Sequence, residues 1–376
     1  MKIGITGQSG FIGTHLYNYL ALKDKAERIR FEDAYFSDDK KLQNWVMQCD
    51  IIVHLAAVNR HNNPEVIYDT NIKLVKKLIS ACEATHSRPH IFFSSSTQEE
   101  LGNPYGNSKK DGRKLFEEWA KSNKAQYTSF IIPNVFGPFG KPYYNSFIAT
   151  FCYQLTHKEE PKVVKDSKVK LIYIGELVEE FWKRINMQRD SNDTTKYEMI
   201  HLKHTKEAAV SRVLSFLTSY KFDYFYNGII PDLSNTFEKN LFNTFLCYID
   251  YEKFFPFHLP IKTDDRGSFV ETVKLKSGGQ ISFSTTGPDI IRGNHFHARK
   301  VERFAVMKGK AIIKFRRIDT DRIYSFELNG NKPSFVDMPI WHTHSITNIG
   351  EEDLYTLFWI NELYDPKDSD TYFEVV

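Results

Sequence analysis

The hydrophobic pattern of this chain changes period once, and that change limits the available folds more than any other feature. Up to about Tyr248, short apolar runs alternate with helical stretches. Past Phe254-Phe255-Pro256-Phe257, short strands recur every eight to twelve residues or so, broken by turns such as Ser277-Gly278-Gly279 and Asn329-Gly330. Strands that alternate with helices build a parallel sheet, whereas closely spaced strands without helices close on themselves as a barrel. A chain of 376 residues also exceeds the usual size of one domain. Two are therefore expected, residues 1–250 and 251–376, with the join between about 245 and 255.

In the first domain, Lys2 to Thr6 reads as a strand, and Gly7-Gln8-Ser9-Gly10-Phe11-Ile12-Gly13 turns it into a helix running to about Leu22. Glycines at such a turn let the backbone approach a pyrophosphate, while the helix amino terminus offers free N–H donors. Gly7, Gly10, Phe11, Ile12 and Gly13 are the coenzyme-binding candidates. The runs Asp50 to Ala57 and Ile91 to Ser96 read as buried parallel strands, with a helix from about Asn71 to Glu83 between them. This alternation predicts a doubly wound parallel sheet. Arg28 to Phe31 is the candidate second strand, followed by Glu32 and Asp33. An acidic residue there favours the ribose hydroxyls of NAD and an arginine favours the phosphate of NADP, so both coenzymes stay open.

Chemistry enters with Ser94-Ser95-Ser96 and Tyr105-Gly106-Asn107-Ser108-Lys109. Four residues apart on a helix, Tyr105 and Lys109 share a face. An ammonium beside a phenol lowers its pKa and makes it a better proton donor to a carbonyl receiving hydride.

Between 141 and 250 the pattern loosens into helical pieces and irregular stretches. Glu176 to Ile185 is amphipathic, and Thr205 to Tyr220 reads as a helix with Thr205 as its N-cap. Asn134 and Asn145 are the polar residues singled out as candidate substrate contacts.

The second domain carries the densest array of ligating groups. His295 and His297 lie two apart on a strand and project to one face; Glu302 returns after a bend, and His344 comes from a later strand. Three imidazoles and a carboxylate suit a borderline divalent ion such as zinc, iron or manganese.

Charge and cysteine usage exclude several classes. The formal net charge is +3 with no block of like charges, which argues against nucleic-acid or membrane surfaces as partners. The four cysteines are scattered, as in a cytoplasmic protein with reduced thiols. The chain opens into a strand with no apolar signal region, and no run is long enough to span a bilayer, so a soluble cytoplasmic protein is expected.

The glycine turn, His54-Leu55-Ala56-Ala57, Asn71, Tyr105-x3-Lys109 and Pro133-Asn134-Val135-Phe136-Gly137-Pro138 together resemble the extended short-chain dehydrogenase/reductases. That resemblance implies Tyr105 as acid, Lys109 as its tuner and ribose anchor, and Ser96 as third member, with Ser95 second. Leu55 and Ala56 join the coenzyme set, and residues 141–250 become a substrate lobe. The arginine often found upstream of the Pro-Asn pair is replaced by Ile131-Ile132. In the second domain, His-x-His-x4-Glu-x6-Gly followed by Pro-x4-His-x3-Asn resembles the two signature motifs of the cupin barrels. Asp264-Asp265-Arg266-Gly267 and Arg292-Gly293-Asn294-His295 resemble the nucleotide 4-keto-sugar epimerases of that fold. They imply that Arg266 and Arg292 contact the sugar nucleotide and that His295 acts as base, a role in conflict with metal binding by the same nitrogen.

The order reductase then cupin, with Tyr144 to Tyr153 and the ending Asp370-Thr371-Tyr372-Phe373, resembles the bifunctional capsular-polysaccharide enzymes of UDP-N-acetyl-L-fucosamine synthesis. The resemblance implies C3 epimerisation of a UDP-4-keto-6-deoxy-HexNAc by the cupin and reduction at C4 by the first domain to UDP-2-acetamido-2,6-dideoxy-β-L-talose. NADPH is the implied coenzyme, with NADH possible, alongside cupin-bound zinc held by His295, His297, Glu302 and His344, and a homodimer. The competing expectation is a reductase whose cupin binds sugar or a second subunit without chemistry.

Overall fold

A computed structural model describes residues 1–189, 197–265 and 267–376. Two compact units emerge: 1–136 with 140–147 and 167–209, and 137–139 with 148–166 and 210–376.

The strands of the first unit are β1 (Lys2–Thr6), β2 (Glu27–Ile29), β3 (Ile51–His54), β4 (His90–Ser96), β5 (Tyr127–Ile132), β6 (Asn134–Phe136), β7 (Lys168–Tyr173), β8 (Tyr197–His201) and β9 (Lys206–Ala209). Six of them form one parallel sheet in the order β2-β1-β3-β4-β5-β8. β3 and β5 are buried at every position, and β4 at all but its last residue, as expected for strands covered on both faces. Helices α1 (Phe11–Ala21), α2 (Asp39–Val46), α3 (Pro64–Ala84) and α4 (Pro104–Asn123) lie between strands as crossovers. Leu42, Trp45, Val75, Leu78, Phe93 and Phe116 belong to one buried cluster between the sheet and these helices. The chain order reverses beside β1, which opens the crevice at the carboxyl ends of β1 and β3 where a dinucleotide binds in such sheets.

Two elements differ from the sequence reading. α3 begins at Pro64, seven residues before Asn71, because the Asn63 side chain caps it by accepting from Glu65 N (3.0 Å) and Pro64 fits the first turn. The helix expected from Thr205 starts only at Val210, as α5 (Val210–Tyr220). Residues 206–209 pair instead with β7, completing a three-stranded sheet, and Thr205 donates to Leu171 O (3.2 Å) rather than capping a helix.

The second unit holds a short β10 (Ile229–Ile230), α6 (Thr236–Leu246) and α7 (Tyr251–Phe254), and from there on, among the described residues, strands only: β11 (Phe257–His258), β12 (Ile261–Asp264), β13 (Gly267–Val270), β14 (Lys274–Leu275), β15 (Gln280–Thr286), β16 (Ile291–Phe296), β17 (Glu302–Lys308), β18 (Lys310–Arg317), β19 (Ile323–Asn329), β20 (Ser334–Met338), β21 (His342–Asn348), β22 (Leu354–Ile360) and β23 (Tyr372–Phe373). Two five-stranded antiparallel sheets, β11-β20-β17-β22-β15 and β19-β18-β21-β16-β23, form the cupin barrel. Alternate residues of β18 point inward, so Ala311, Ile313 and Phe315 are fully buried. On β17, Arg303 faces the other way and forms a buried ion pair with its cross-strand neighbour Asp337 (2.8 and 2.9 Å). Tyr224 Oη donates to the same carboxylate (2.7 Å), and Arg303 donates to Gly228 O (2.8 Å), so residues 221–230 are bound to the outside of the barrel wall. No helix among the described residues is long and apolar enough to cross a membrane.

Candidate active site and metal centre

The glycine turn sits at the carboxyl end of β1. Gly7 has φ +67°, and a Cβ there would lie 2.8 Å from the backbone of Ala56; a Cβ on Gly13 would lie 2.2 Å from Gly7 O. Side chains at either position would force the turn apart, which is why glycine is needed. The close approach brings Gly7 beside Leu55 and Ala56, with Leu55 N donating to Thr6 O (3.2 Å), while Gly10 N donates to Gly7 O (3.0 Å) and leads through Phe11 and Ile12 to Gly13 in the first turn of α1. Phe31 N donates to Gln8 Oε1 (3.1 Å) and Ser9 Oγ to Asp33 Oδ2 (3.1 Å), so Asp33 faces the turn directly. Arg28 is turned away, stacked on Tyr17 and donating to its carbonyl. Arg30 is exposed beside Glu32 at 3.8 Å.

Tyr105 and Lys109 stand on α4, which follows β4 and its serines. Lys109 is buried, donates to Ser94 O (2.9 Å) and lies 5.7 Å from the centre of the Tyr105 ring. Burial lowers the Lys109 pKa to about 8, against the pull of Glu99. The Tyr105 phenol is pushed up to about 12 by burial and by nearby Tyr144, so desolvation dominates and the expected lowering by Lys109 does not emerge. The three serines differ in occupation. Ser94 Oγ donates to His54 O (3.2 Å), and Ser95 Oγ donates to Glu99, itself gripped by Arg113 at 3.0 Å. Ser96 Oγ accepts from Gln98 N (3.2 Å) and is only partly buried.

Several residues position the site through contacts that local sequence does not reveal. Asn71 brackets Val58, accepting from its N–H (2.7 Å) and donating to its carbonyl (2.9 Å), and so fixes the loop after β3. Arg60 donates to the carbonyls of Tyr143 and Tyr144 (both 2.9 Å), holding the segment that places Tyr144 near Tyr105. Asn134 and Asn145 are both exposed. Nothing in the local sequence announces these contacts, because the partners are far apart in the chain.

In the barrel, His295, His297, Glu302 and His344 converge: one ligating atom from each lies within 4.8 Å of the others. A bulge between Gly293 and His295, with Asn294 in the left-handed region (φ 55°), resets the alternation of β16. Glu302 Oε2 lies 2.9 Å from His344 Nε2, 3.2 Å from His297 Nε2 and 3.9 Å from His295 Nε2. The Nε2 atoms of His297 and His344 and Oε2 of Glu302 are nevertheless buried without a hydrogen-bond partner. The Nδ1 atoms are occupied, facing Asp370 O (2.5 Å) from His297 and His342 O (3.2 Å) from His344. Burial opposes ionisation of Glu302, yet the three imidazoles hold its carboxyl well below the usual range. Burial keeps the His344 pKa low. Three Nε2 atoms and a carboxylate oxygen gathered at one buried point are the donor set of a divalent metal. Of the two arginines expected to contact sugar nucleotide, Arg292 is exposed and donates to Thr285 O (3.4 Å), while Arg266 lies outside the described residues.

Residues 3–199 match the NAD dependent epimerase/dehydratase family, and residues 262–372 match the polysaccharide biosynthesis C-terminal domain. The UDP-2-acetamido-2,6-beta-L-arabino-hexul-4-ose reductase of Pseudomonas aeruginosa is 32% identical over 375 residues, 99% of this chain and 98% of that protein. The capsular polysaccharide assembling protein CapF from Staphylococcus aureus superposes with a TM-score of 0.63 at 33% identity, covering 100% of both chains. A UDP-glucose 4-epimerase from Thermotoga maritima shares the fold alone, with a TM-score of 0.51 and 19% identity over 59% of this chain and 83% of that one.

Proposed function

Since this chain belongs to the NAD dependent epimerase/dehydratase family and is a CapF-type nucleotide-sugar enzyme along its whole length, we propose that it carries out two reactions in order. The cupin epimerises C3 of a UDP-4-keto-6-deoxy-HexNAc, and the reductase then reduces the C4 ketone with NADPH to UDP-2-acetamido-2,6-dideoxy-β-L-talose, towards UDP-N-acetyl-L-fucosamine. The observation that carries the reading is the Tyr105–Lys109 pair at the carboxyl edge of a parallel sheet whose first turn is built for a dinucleotide. The relative named as a hexul-4-ose reductase supports a 4-ketosugar as substrate.

The order follows from the chemistry. A ketone at C4 acidifies the proton at C3, so inversion there must come before the ketone becomes an alcohol. In the reductase, Tyr105 donates the proton to the carbonyl oxygen, Lys109 steadies the developing phenolate and anchors the ribose, and Ser96 holds the carbonyl. The engagement of Ser95 with Glu99 supports Ser96 over its neighbour. The bound coenzyme supplies the hydride. Asn134 and Asn145 contact the substrate in this reading, as do Arg266 and Arg292 in the cupin. The domains are assigned as 1–250 and 251–376, and the active species as a cytoplasmic homodimer.

His295, His297, Glu302 and His344 would hold one zinc ion, which would fix the strand ends that they come from. Four protein ligands complete a tetrahedral shell, and this favours a clamp over direct contact with the ketone. His295 is the most exposed of the four, with 25% of its side chain accessible, and is the candidate to serve as base if it is released from the ion.

The test is to incubate the full-length protein, without coenzyme, with UDP-4-keto-6-deoxy-HexNAc in heavy water. Deuterium at C3 supports the epimerase, and subsequent NADPH should convert the labelled sugar to the C4 alcohol. Reduction without any exchange at C3 would reduce the barrel to a binding or dimerisation module.

A further inference from the structure

We propose that Asp370 is the positioning residue of the metal centre: its carboxylate shapes the loop between His297 and Glu302, and its carbonyl decides which nitrogen of His297 faces the ion. The inference rests on the metal reading given above and concerns only residues of this chain.

Asp370 is 4% exposed, and its backbone is left-handed at φ 44°. Its Oδ1 accepts from Ala298 N (3.1 Å), and its Oδ2 accepts from Arg299 N (3.0 Å) and Lys300 N (3.1 Å). Three consecutive N–H groups of the loop that joins two ligands therefore converge on one side chain 70–72 positions away. Unpaired, those buried donors would each carry a desolvation cost. The backbone carbonyl of the same residue lies 2.5 Å from His297 Nδ1. A carbonyl only accepts, so Nδ1 must carry a proton, and in the neutral ring that binds a metal the Nε2 lone pair is then aimed at the point it shares with Glu302. Immediately after it, β23 pairs with β16, with Phe373 opposite His295. One short segment thus sets the approach of two ligands and the length of the loop to a third.

An asparagine could not do the same. Its single oxygen can satisfy part of the set, and its NH₂ would oppose at least one loop N–H.

The test compares wild type, Asp370→Asn and Asp368→Asn as full-length proteins. Zn²⁺ affinity is read by chelator competition, and ligand geometry by the visible spectrum of the Co²⁺-substituted protein. Asp368 accepts the exposed Arg299 guanidinium (2.8 Å) and serves as a control on the same segment. D370N should bind Zn²⁺ about 10–100-fold more weakly with an altered Co²⁺ spectrum, while D368N matches wild type. Wild-type affinity and spectrum in D370N would overturn the proposal while leaving the metal site standing. Equal losses in both variants would also overturn it, by showing general loosening of the segment. A wild-type protein that takes up no Zn²⁺ would instead overturn the metal reading itself, and this inference with it. If D370N does not fold, the tautomer of His297 in the wild-type protein, read by long-range proton–nitrogen NMR, decides. A proton on Nδ1 supports the assignment, and one on Nε2 ends it.

Discussion

His295 and His344 are cross-strand partners, paired in register on β16 and β21 with ring centres 4.5 Å apart. Their convergence is fixed by sheet register rather than by loop geometry, so this pair of ligands is preformed. His344→Ala should abolish stoichiometric zinc and lower the melting temperature of the barrel. If zinc is a clamp, C3 exchange should survive in the folded fraction; a mutant of normal thermal stability without any exchange would make the ion catalytic.

Tyr105→Phe removes the proton donor and keeps the ring. Coenzyme binding, followed by fluorescence titration, should be unchanged. Ketone reduction should fall by about 10²–10⁴-fold. Undiminished turnover would remove Tyr105 from the mechanism.

The lowered Lys109 pKa has a stability signature. Its value falls from 10.5 to about 8, so between these pH values the unfolded chain holds a proton that the folded coenzyme-free protein has released. The Lys109 contribution to stability must therefore rise as pH climbs from about 8 to about 10, by a total of roughly 3 kcal/mol. Denaturant titrations of wild type and Lys109→Met across this window should show the difference shifting in favour of wild type with increasing pH. A pH-independent difference would mean that burial does not perturb this lysine.

Asp33 confronts Ser9 at the glycine turn, where the coenzyme ribose is expected. Its charge opposes a 2′-phosphate. Asp33→Ala should raise kcat/KM for NADPH relative to NADH by about fivefold, the scale of one exposed charge interaction of roughly 1 kcal/mol. An unchanged ratio would place the ribose elsewhere.

The buried pair Arg303–Asp337 carries a steeper penalty. Asp337→Ala strands a guanidinium that is 1% exposed and should cost about 3–5 kcal/mol, measured by urea unfolding. A loss below about 1 kcal/mol would mean that water reaches the arginine.

Much of this was legible in the sequence because it is local. β1 and its glycine turn, β4, and the face shared by Tyr105 and Lys109 follow from spacing alone, and the His-x-His pair gave the correct convergence. The strand at 206–209, where a helix from Thr205 is expected, has a physical cause. Residues 206–209 carry a helical pattern, but β7 offers open backbone hydrogen bonds, and the pairing outweighs local preference. The start of α3 is written in Asn63-Pro64, an N-cap followed by a first-turn proline. Asp370 could not be read as a ligand-positioning residue, because its partners lie at 297–300 and only folding brings them together. The phenol of Tyr105 departs from expectation because motif spacing reports the neighbouring charge and says nothing of burial.

Glu302 and Arg303 are adjacent, yet one points to the three imidazoles and the other to Asp337 and residues 224–228. A single inserted or deleted residue at the start of β17 would exchange their faces, aiming a guanidinium at the ligand cluster and exposing a carboxylate to the Phe335 ring that now stacks on Arg303 at 3.5 Å. Length variation among homologues should therefore fall in the turns around this strand, and the Glu-Arg dipeptide should be inherited as one indivisible character.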